Sequence, residues 1–528
     1  MSIISTMGIA RQALNVSEAA MNVVSNNIAN MNTDGYSKEE VVLAPAVNYT
    51  PLTGSNSNAQ AYSGTGVMLE NVERNTDAYL LAYYRQQNSG SSYYTEYKTV
   101  GASIEQMTNE LTETSGLEKA FTTFYEAANT LTSSPSSDSA RSAFAQAAVN
   151  ISSQFNQIYT DLDDLRTSLV GKVNADGTKE GLSSSKLSDS VTQVNSLLDQ
   201  IISINKDIVK TSANGNAPNA LLDQRDQIIT QLSEYLPVSV TSNTNGTDNI
   251  SINGVNVIQG TESKGSLYID ESESTADVPS VLKLRDSDGN IVSTSLNKFI
   301  TTGTIGAILD VAGTDSSKLT ISGVLGNLNT LAKGFADEMN RIQTATETTT
   351  DSSGNTVTTT PLAIDSTTQK LITSTENLFS ANDGTTTITA GNISVNSKVV
   401  SDPNLIAAAR EDVTSTTYDS TSIGNNTNAT AFLNSRSSQI AGLNNSNPED
   451  YLSSFVGTVG VQVANVNTRY TNQETVLTQV SNQLESISGV DLNEEIVDLT
   501  KYQRAYEASA RIFSVCNSLL ETLVNLGK

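Results

Sequence analysis

Met7, Leu14, Met21 and Ile28 recur every seven residues at one end of this chain, and Leu492, Leu499, Tyr506, Phe513 and Leu520 do the same at the other. A seven-residue apolar period marks a helix whose narrow seam must be covered by another helix. Companion positions reinforce both seams: Ile3, Ala10 and Val24 with Ser17 as the polar member, then Ile496, Tyr502, Ala510, Leu523 and Val524. A helix of about 28 residues is roughly 42 Å long, and burying eight seam side chains yields at most about 16 kcal/mol. Fixing the backbone costs about 1–2 kcal/mol per residue, which local hydrogen bonds only partly recover. Either stripe alone is therefore loose. The same periodicity fits an ordinary intramolecular pair, but the favoured expectation is that both ends are disordered in the free monomer and fold when copies stack into a tube. The nine heptad residues named first are the candidate assembly interface.

A third stripe, Val463, Tyr470, Leu477 and Leu484 with Val466, Val480 and Ile487, cannot continue into the last one, because its register would land on Asp491 and Glu494. Ser488-Gly489 is the expected break, and Asp491 with Glu494 three residues on is a candidate N-cap in capping-box form. Residues 88–235 carry mostly helical spacing, punctuated at Ser133–Ser136 and Asn174–Gly177. After Pro237 the pattern changes to alternation, with turn signals at Asn245-Gly246, Asn253-Gly254 and Asp288-Gly289. Helical spacing returns in Ile321, Leu328, Phe335 and Ile342, and Thr-rich alternation then runs to about Val400.

With 528 residues, the chain exceeds what one core can serve. The expected fold is α+β and multidomain: N- and C-terminal coiled-coil helices, an elongated α-helical body domain and inserted antiparallel β domains. Expected boundaries are 1–60 with 489–528 for the terminal helices, 61–236 with 401–488 for the body, 237–317 for a β insertion, 318–345 for a helix returning to the body, and 346–400 for a second β insertion.

Composition removes most chemistry. The chain has no histidine, which eliminates Ser-His-Asp and Cys-His nucleophiles and imidazole metal sites. Its single cysteine, Cys516, allows neither an internal disulfide nor a thiolate zinc cluster and reads as a small buried apolar residue. A formal charge of −26 repels phosphate backbones and anionic lipid heads, so neither nucleic acid nor a membrane is an expected partner. No stretch is long and apolar enough to span a bilayer, and the N-terminus lacks the pattern of a cleaved secretory signal. Asp286–Asn290 resembles the start of a calcium loop, but its twelfth position is Asn297 rather than Glu, and a hairpin turn is the better reading. Asp163-Asp164 and Glu494-Glu495 are adjacent, so on a helix they point about 100° apart and do not share a proton. Gly64-Thr65-Gly66 reads as a turn into a strand. No catalytic residue, metal site or cofactor is expected, and the chain reads as a non-enzyme.

The exit of the first helix is unusual. Asn26, Asn27, Asn30 and Asn32 precede Asp34, Gly35 and Tyr36. Asparagine is a poor helix-interior residue, yet its amide bonds free carbonyls at a helix end, and Gly35 permits positive φ. A helix terminus followed by a turn is the plain reading; the sharper one places the loop at a subunit boundary.

"LNVSEAAMNVVSNNIANMNTDGYSK" and "SGVDLNEEIVDLTKYQRAYEASARIF" resemble the paired terminal signatures of flagellar axial proteins, the rod, hook and hook-associated proteins. Gly35-Tyr36-Ser37 and "YQRAYEASAR" are more similar to the hook-associated junction proteins than to rod or hook proteins, and "LNTLAKGFADEMNRI" and "PEDYLSSFVGTVGVQVANV" agree. The resemblance implies a structural adaptor between hook and filament, extracellular, exported by the flagellar type III system without a cleaved signal. It implies as partners the chain itself, the hook protein, a second junction protein (hook-associated protein 3) and an export chaperone covering Leu499, Tyr506 and Phe513. Another axial protein such as the hook protein, or a secreted adhesin-like fibre, is the alternative.

Overall fold

In the computed structural model, the heptad Ile321, Leu328, Phe335 and Ile342 forms the spine of the main core, each residue at most 2% exposed. The structure describes residues 3–46, 66–109, 116–174, 176–213, 218–275, 277–278, 280–286, 288–293, 295–350, 356–415 and 418–526. In chain order the elements are α1 (Ile3–Asn30), β1 (Glu39–Pro45), β2 (Val67–Arg74), α2 (Ala78–Asn109), α3 (Leu117–Ser133), α4 (Asp138–Val170), β3 (Lys172–Val173), β4 (Lys179–Glu180), α5 (Lys186–Ala213) and α6 (Asn219–Tyr235). Six strands follow, β5 (Val238–Ser242), β6 (Asp248–Ile252), β7 (Val255–Gln259), β8 (Glu262–Ser263), β9 (Ser266–Ile269) and β10 (Leu282–Arg285), then α7 (Gly303–Ala312) and α8 (Ile321–Thr344). The remainder is β11 (Glu347–Thr350), β12 (Thr356–Asp365), β13 (Lys370–Thr373), β14 (Phe379–Ala381), β15 (Ile393–Val395), α9 (Ser397–Ser401), β16 (Ala409–Glu411), α10 (Thr427–Asn434), α11 (Pro448–Ser488) and α12 (Leu492–Leu526).

The body forms where the helical stripes are widest. On α3, Leu117, Ala120, Phe121, Phe124, Tyr125, Ala128 and Leu131 are all buried, at the i, i+3, i+4, i+7 spacing of an amphipathic helix. Phe335 of α8 meets Phe121 and Phe124 edge-on at ring separations of 5.1 and 5.4 Å, and Phe124 meets Phe144 of α4 at 4.8 Å. Such pairs add about 0.5–1.5 kcal/mol each beyond the area they bury. Capping side chains define the ends: Thr320 accepts from Gly323 N at the start of α8, and Asn447 accepts from Asp450 N ahead of Pro448 at the start of α11.

The strands β5 to β8 form an antiparallel meander in sequence order, turning at Gly246 and at Asn253-Gly254. Ile250, Ile252, Val257 and Ile258 enter the same core cluster as the body helices, so this sheet is a layer laid on α5 and α6 rather than a separate globule. Buried Asn205 of α5 fastens it, its amide donating to Asp248 O and Gly260 O, while Arg225 pairs with Asp248 at 2.9 Å. Where the sequence suggested a hairpin turn, Asp286 N donates to Asn290 O and Gly289 N to Asp286 O; Ser287 lies outside the described residues.

Three boundaries differ from the sequence expectation. Residues 303–312, placed within the 237–317 β insertion, are helix α7, which packs on α2. Gly303 starts it with φ +77°, and a Cβ there would lie 2.4 Å from the Tyr235 carbonyl carbon, so only glycine lets α7 close on the end of α6. β16, placed in the 401–488 body segment, pairs with β12, so the second sheet extends past residue 400. The β14–β15 hairpin, by contrast, sends Phe379 and Ile393 into the main core. Finally, β1 and β2 pair with each other across the 60/61 boundary, and their hairpin lies along α1.

Candidate assembly site at the terminal helices

α1 and α12 pack along their lengths in this single chain. At one end Asn27 bonds Glu495; at the other, Thr6 and Cys516 line one groove. Both separations are twenty-one residues, so the helices are antiparallel and in step, and α12 runs on past Ile3 by roughly 10 Å of helix. In the folded chain the two terminal helices are continuous and packed on each other. The physical reason is that α1 is covered by α12 and by the β1–β2 hairpin together.

The most buried line on each helix lies beside the expected heptad, and on α1 it includes the companion positions Ala10, Ser17 and Val24. On α1 the buried residues are Ala10, Val16, Ser17, Ala20, Val24 and Asn27, whereas Met7, Leu14, Met21 and Ile28 are half-buried. On α12 Glu495 and Cys516 are buried; Leu499, Phe513 and Leu520 are half-buried and Leu492 and Tyr506 are exposed. Small residues occupy the line of closest approach, and the bulky ones flank it. Ser17, the polar member of the seam, turns its hydroxyl to Ala13 O at 2.8 Å and is satisfied within its own helix.

The asparagine cluster is a hub. Asn27, 1% exposed, uses its whole amide: Nδ2 donates to Glu39 O at 2.9 Å and Glu495 Oε2 at 3.1 Å, while Oδ1 accepts from Glu39 N at 3.0 Å and the Tyr36 hydroxyl at 2.7 Å. One side chain thus joins the end of α1, the start of β1 and the first turn of α12. Asn26 donates to Tyr36 Oη and Glu39, and Asn30 donates back to Asn26 O and Oδ1. Asn32 is exposed beyond this network. Gly35 takes φ +79°, and a Cβ there would only touch the Gln227 side chain at 3.4 Å, so the requirement is backbone conformation rather than space. Lys38 bridges Glu494 at 2.7 Å and Glu495 at 3.4 Å, and its N–H donates to Ser488 O at the end of α11. Burial opposes the charge on Lys38, but the two glutamates outweigh it and hold its pKa above the usual lysine value. Burial, then Glu39, Asp223 and Glu495, raise the Tyr36 phenol, so it stays a donor. Asp491 accepts from Asn493 N and its pKa is lowered by the backbone N–H groups of Asn493 and Glu494, the expected cap of α12.

The amides expected at a boundary between subunits are therefore engaged within the chain. Sequence reasoning singled out Asn26, Asn27, Asn30, Gly35 and Tyr36, which the structure brings together, but missed Lys38, Glu39 and Glu495, and the β1–β2 hairpin. The signal available for Glu495 was an acidic side chain in the first turn of an apolar helix, which a helix dipole alone explains. What remains open to a partner is the outer face of α12, where Ile512 is 49%, Val515 58%, Leu519 49% and Leu523 60% exposed. Among the described residues no cluster of His, Cys, Asp and Glu could hold a metal ion, and no helix is long and apolar enough to cross a membrane.

The sequence pattern described as "Flagella basal body rod protein" matches residues 7–36, and "Flagellar basal body rod FlgEFG protein C-terminal" matches residues 482–526, the two segments that the hub joins. "Flagellar hook-associated protein FlgK helical domain" matches residues 102–357. Flagellar hook-associated protein 1 of Bacillus subtilis (strain 168) is 26% identical over 535 residues, covering 98% of this chain and 97% of that protein. The protein of the same name from Salmonella typhimurium is 27% identical over 587 residues, covering 98% and 99%. Over nearly its whole length the chain is similar to proteins named flagellar hook-associated protein 1. Its fold is similar to that of a solved structure, the flagellar hook junction protein FlgK from Burkholderia pseudomallei, which aligns with a TM-score of 0.55 at 17% identity, over 77% of this chain and all of that one.

Proposed function

We propose that this chain is a structural subunit of the bacterial flagellum that polymerises with itself between hook and filament, acting as the adaptor between them. The observation that carries the reading is the bare apolar stripe Ile512, Val515, Leu519 and Leu523 on the outer face of α12. It lies beside α1, which holds only one cation, Arg11, and one anion, Glu18, while α12 itself carries five acidic and three basic side chains. An exposed apolar stripe of this kind is the surface through which copies can meet. The flanking heptad residues Met7, Leu14, Met21, Ile28, Leu492, Leu499, Tyr506, Phe513 and Leu520, half-buried or exposed in the single chain, supply further surface for that contact.

On this reading the hook protein lies on one side and hook-associated protein 3 on the other. Export proceeds through the flagellar type III system without a cleaved signal, with a chaperone on Leu499, Tyr506 and Phe513. Leu499 and Phe513 are half-covered in the packed pair, so the chaperone must bind before α12 docks on α1. Electron microscopy of a strain lacking this chain tests the function: hooks without filaments, and flagellin lost to the medium, are expected, and normal filaments would refute it. Truncation after Gly489 tests the chaperone site, with loss of chaperone binding as the expected result.

A further inference from the structure

We infer that Arg74 and Asp223 are positioning residues that set the angle between the terminal unit (α1, β1, β2 and α12) and the helical body. The chain passes between the two at only two places among the described residues, Asn75–Asp77 from β2 to α2 and Gly489–Asp491 from α11 to α12, each three residues long. These links lie side by side, because Asn75 N donates to Lys38 O and Lys38 N donates to Ser488 O, at 2.8 Å each. Two short adjacent links form a hinge, free to bend unless something braces it.

Apolar packing is not the brace. The body's core cluster contains no residue of α1, β1, β2 or α12. The contacts across the boundary are polar and directional. Arg74, at the end of β2, bridges Asp223 at 2.6 Å and Asp226 at 2.9 Å, both on α6, and Arg85 of α2 holds Asp226 at 2.9 Å from the other side. Asp223 also accepts from Ser37 N at 3.1 Å, and Asn219 donates to Val72 O at 3.1 Å. The four charged side chains are 7–18% exposed, so water screens them little. A guanidinium held between two carboxylates fixes direction as well as distance, and loss of one partner leaves a poorly solvated charge unpaired. Arg74 therefore determines where the terminal helices point relative to the body, the quantity that decides how a copy meets its neighbours.

The test is single-molecule energy transfer on the full-length chain, labelled at Glu70→Cys on the exposed hairpin and Asp207→Cys on α5, in a Cys516→Ala background. The parent and Arg74→Lys are expected to give one narrow distribution. Arg74→Met and Asp223→Asn are expected to broaden it at least twofold, with the thermal transition of the body unmoved. A distribution as narrow in both variants as in the parent overturns the proposal, as does a shift in the body's transition with the distribution unchanged. Should Arg74→Met unfold the chain, Asp226→Asn carries the test with the same expected broadening and the same overturning result. Because no assembly is needed, the outcome is independent of the role at the hook–filament junction.

Discussion

α3 and α1 are both amphipathic helices that rest on a partner, and they are built to opposite ends. In its 17 residues α3 buries three large aromatic side chains and two leucines; in its 28, α1 buries two valines, two alanines, a serine and an asparagine. The body makes its own shelter from large apolar side chains. The terminal pair closes on small residues and a buried polar hub, and leaves its larger side chains half-covered. A unit of the first kind is stable alone; one of the second kind is expected to gain firmness when more neighbours arrive.

Matched truncations make the contrast sharpest. Phe335→Ala removes a fully buried ring and is expected to destabilise the body by about 3–5 kcal/mol. Phe513→Ala, at a half-buried position on α12, is expected to cost about 1 kcal/mol. Denaturation midpoints of the two variants check this, and equal losses would erase the distinction. Hydrogen exchange on the free chain addresses it without mutation: amides of residues 3–30 and 492–526 are expected to exchange on the order of a hundredfold faster than those of α3, α4 and α8. Equal protection would mean the pair is a finished domain.

The hub predicts an intermediate effect. Asn27→Ala leaves Glu495 buried with Lys38 alone, at an expected cost of about 1–3 kcal/mol. The loss is to be read as faster exchange in the first turns of α12 with the body unchanged. A smaller effect attends pH. Both Tyr36 and Lys38 have pKa values raised on folding, so their contribution is fully present below about pH 10 and is lost only as pH rises further. With no histidine in the chain, the labelled hinge should be invariant from pH 5 to 9 and loosen above 10; a transition near neutrality would contradict this.

How much of this was legible follows from where the polar side chains fall. The Ile321–Ile342 heptad is plain because α8 keeps one face polar, and the break at Ser488-Gly489 because two registers collide there. α7 escaped because it is short and buried nearly all round, so no polar face marks its period. The terminal seams were read in part: the companion positions Ala10, Ser17 and Val24 are buried, but periodicity favours the large residues, while close packing of three elements favours Ala20 and Asn27. The contact between Asn27 and Glu495 joins positions 468 residues apart, and Arg74 with Asp223 another 149. No local pattern encodes such pairs, because their cause is a fold in which the two ends of the chain return to one place.

The smallest expected change in stability carries the largest functional consequence. Ile512, Val515 and Leu519 are each about half exposed, so replacing all three by serine removes little burial from the single chain, and its stability should fall by under about 1 kcal/mol in total. Serine lowers helix propensity only slightly, and the hub at the far end of α12 is untouched. If the stripe is the contact between copies, this variant is nonetheless expected to be exported and yet to leave hooks without filaments. Filaments of normal length from a stably folded triple variant would show that the bare face of α12 is merely surface. The shelter that the terminal pair lacks would then have to come from the half-covered heptad flanks instead.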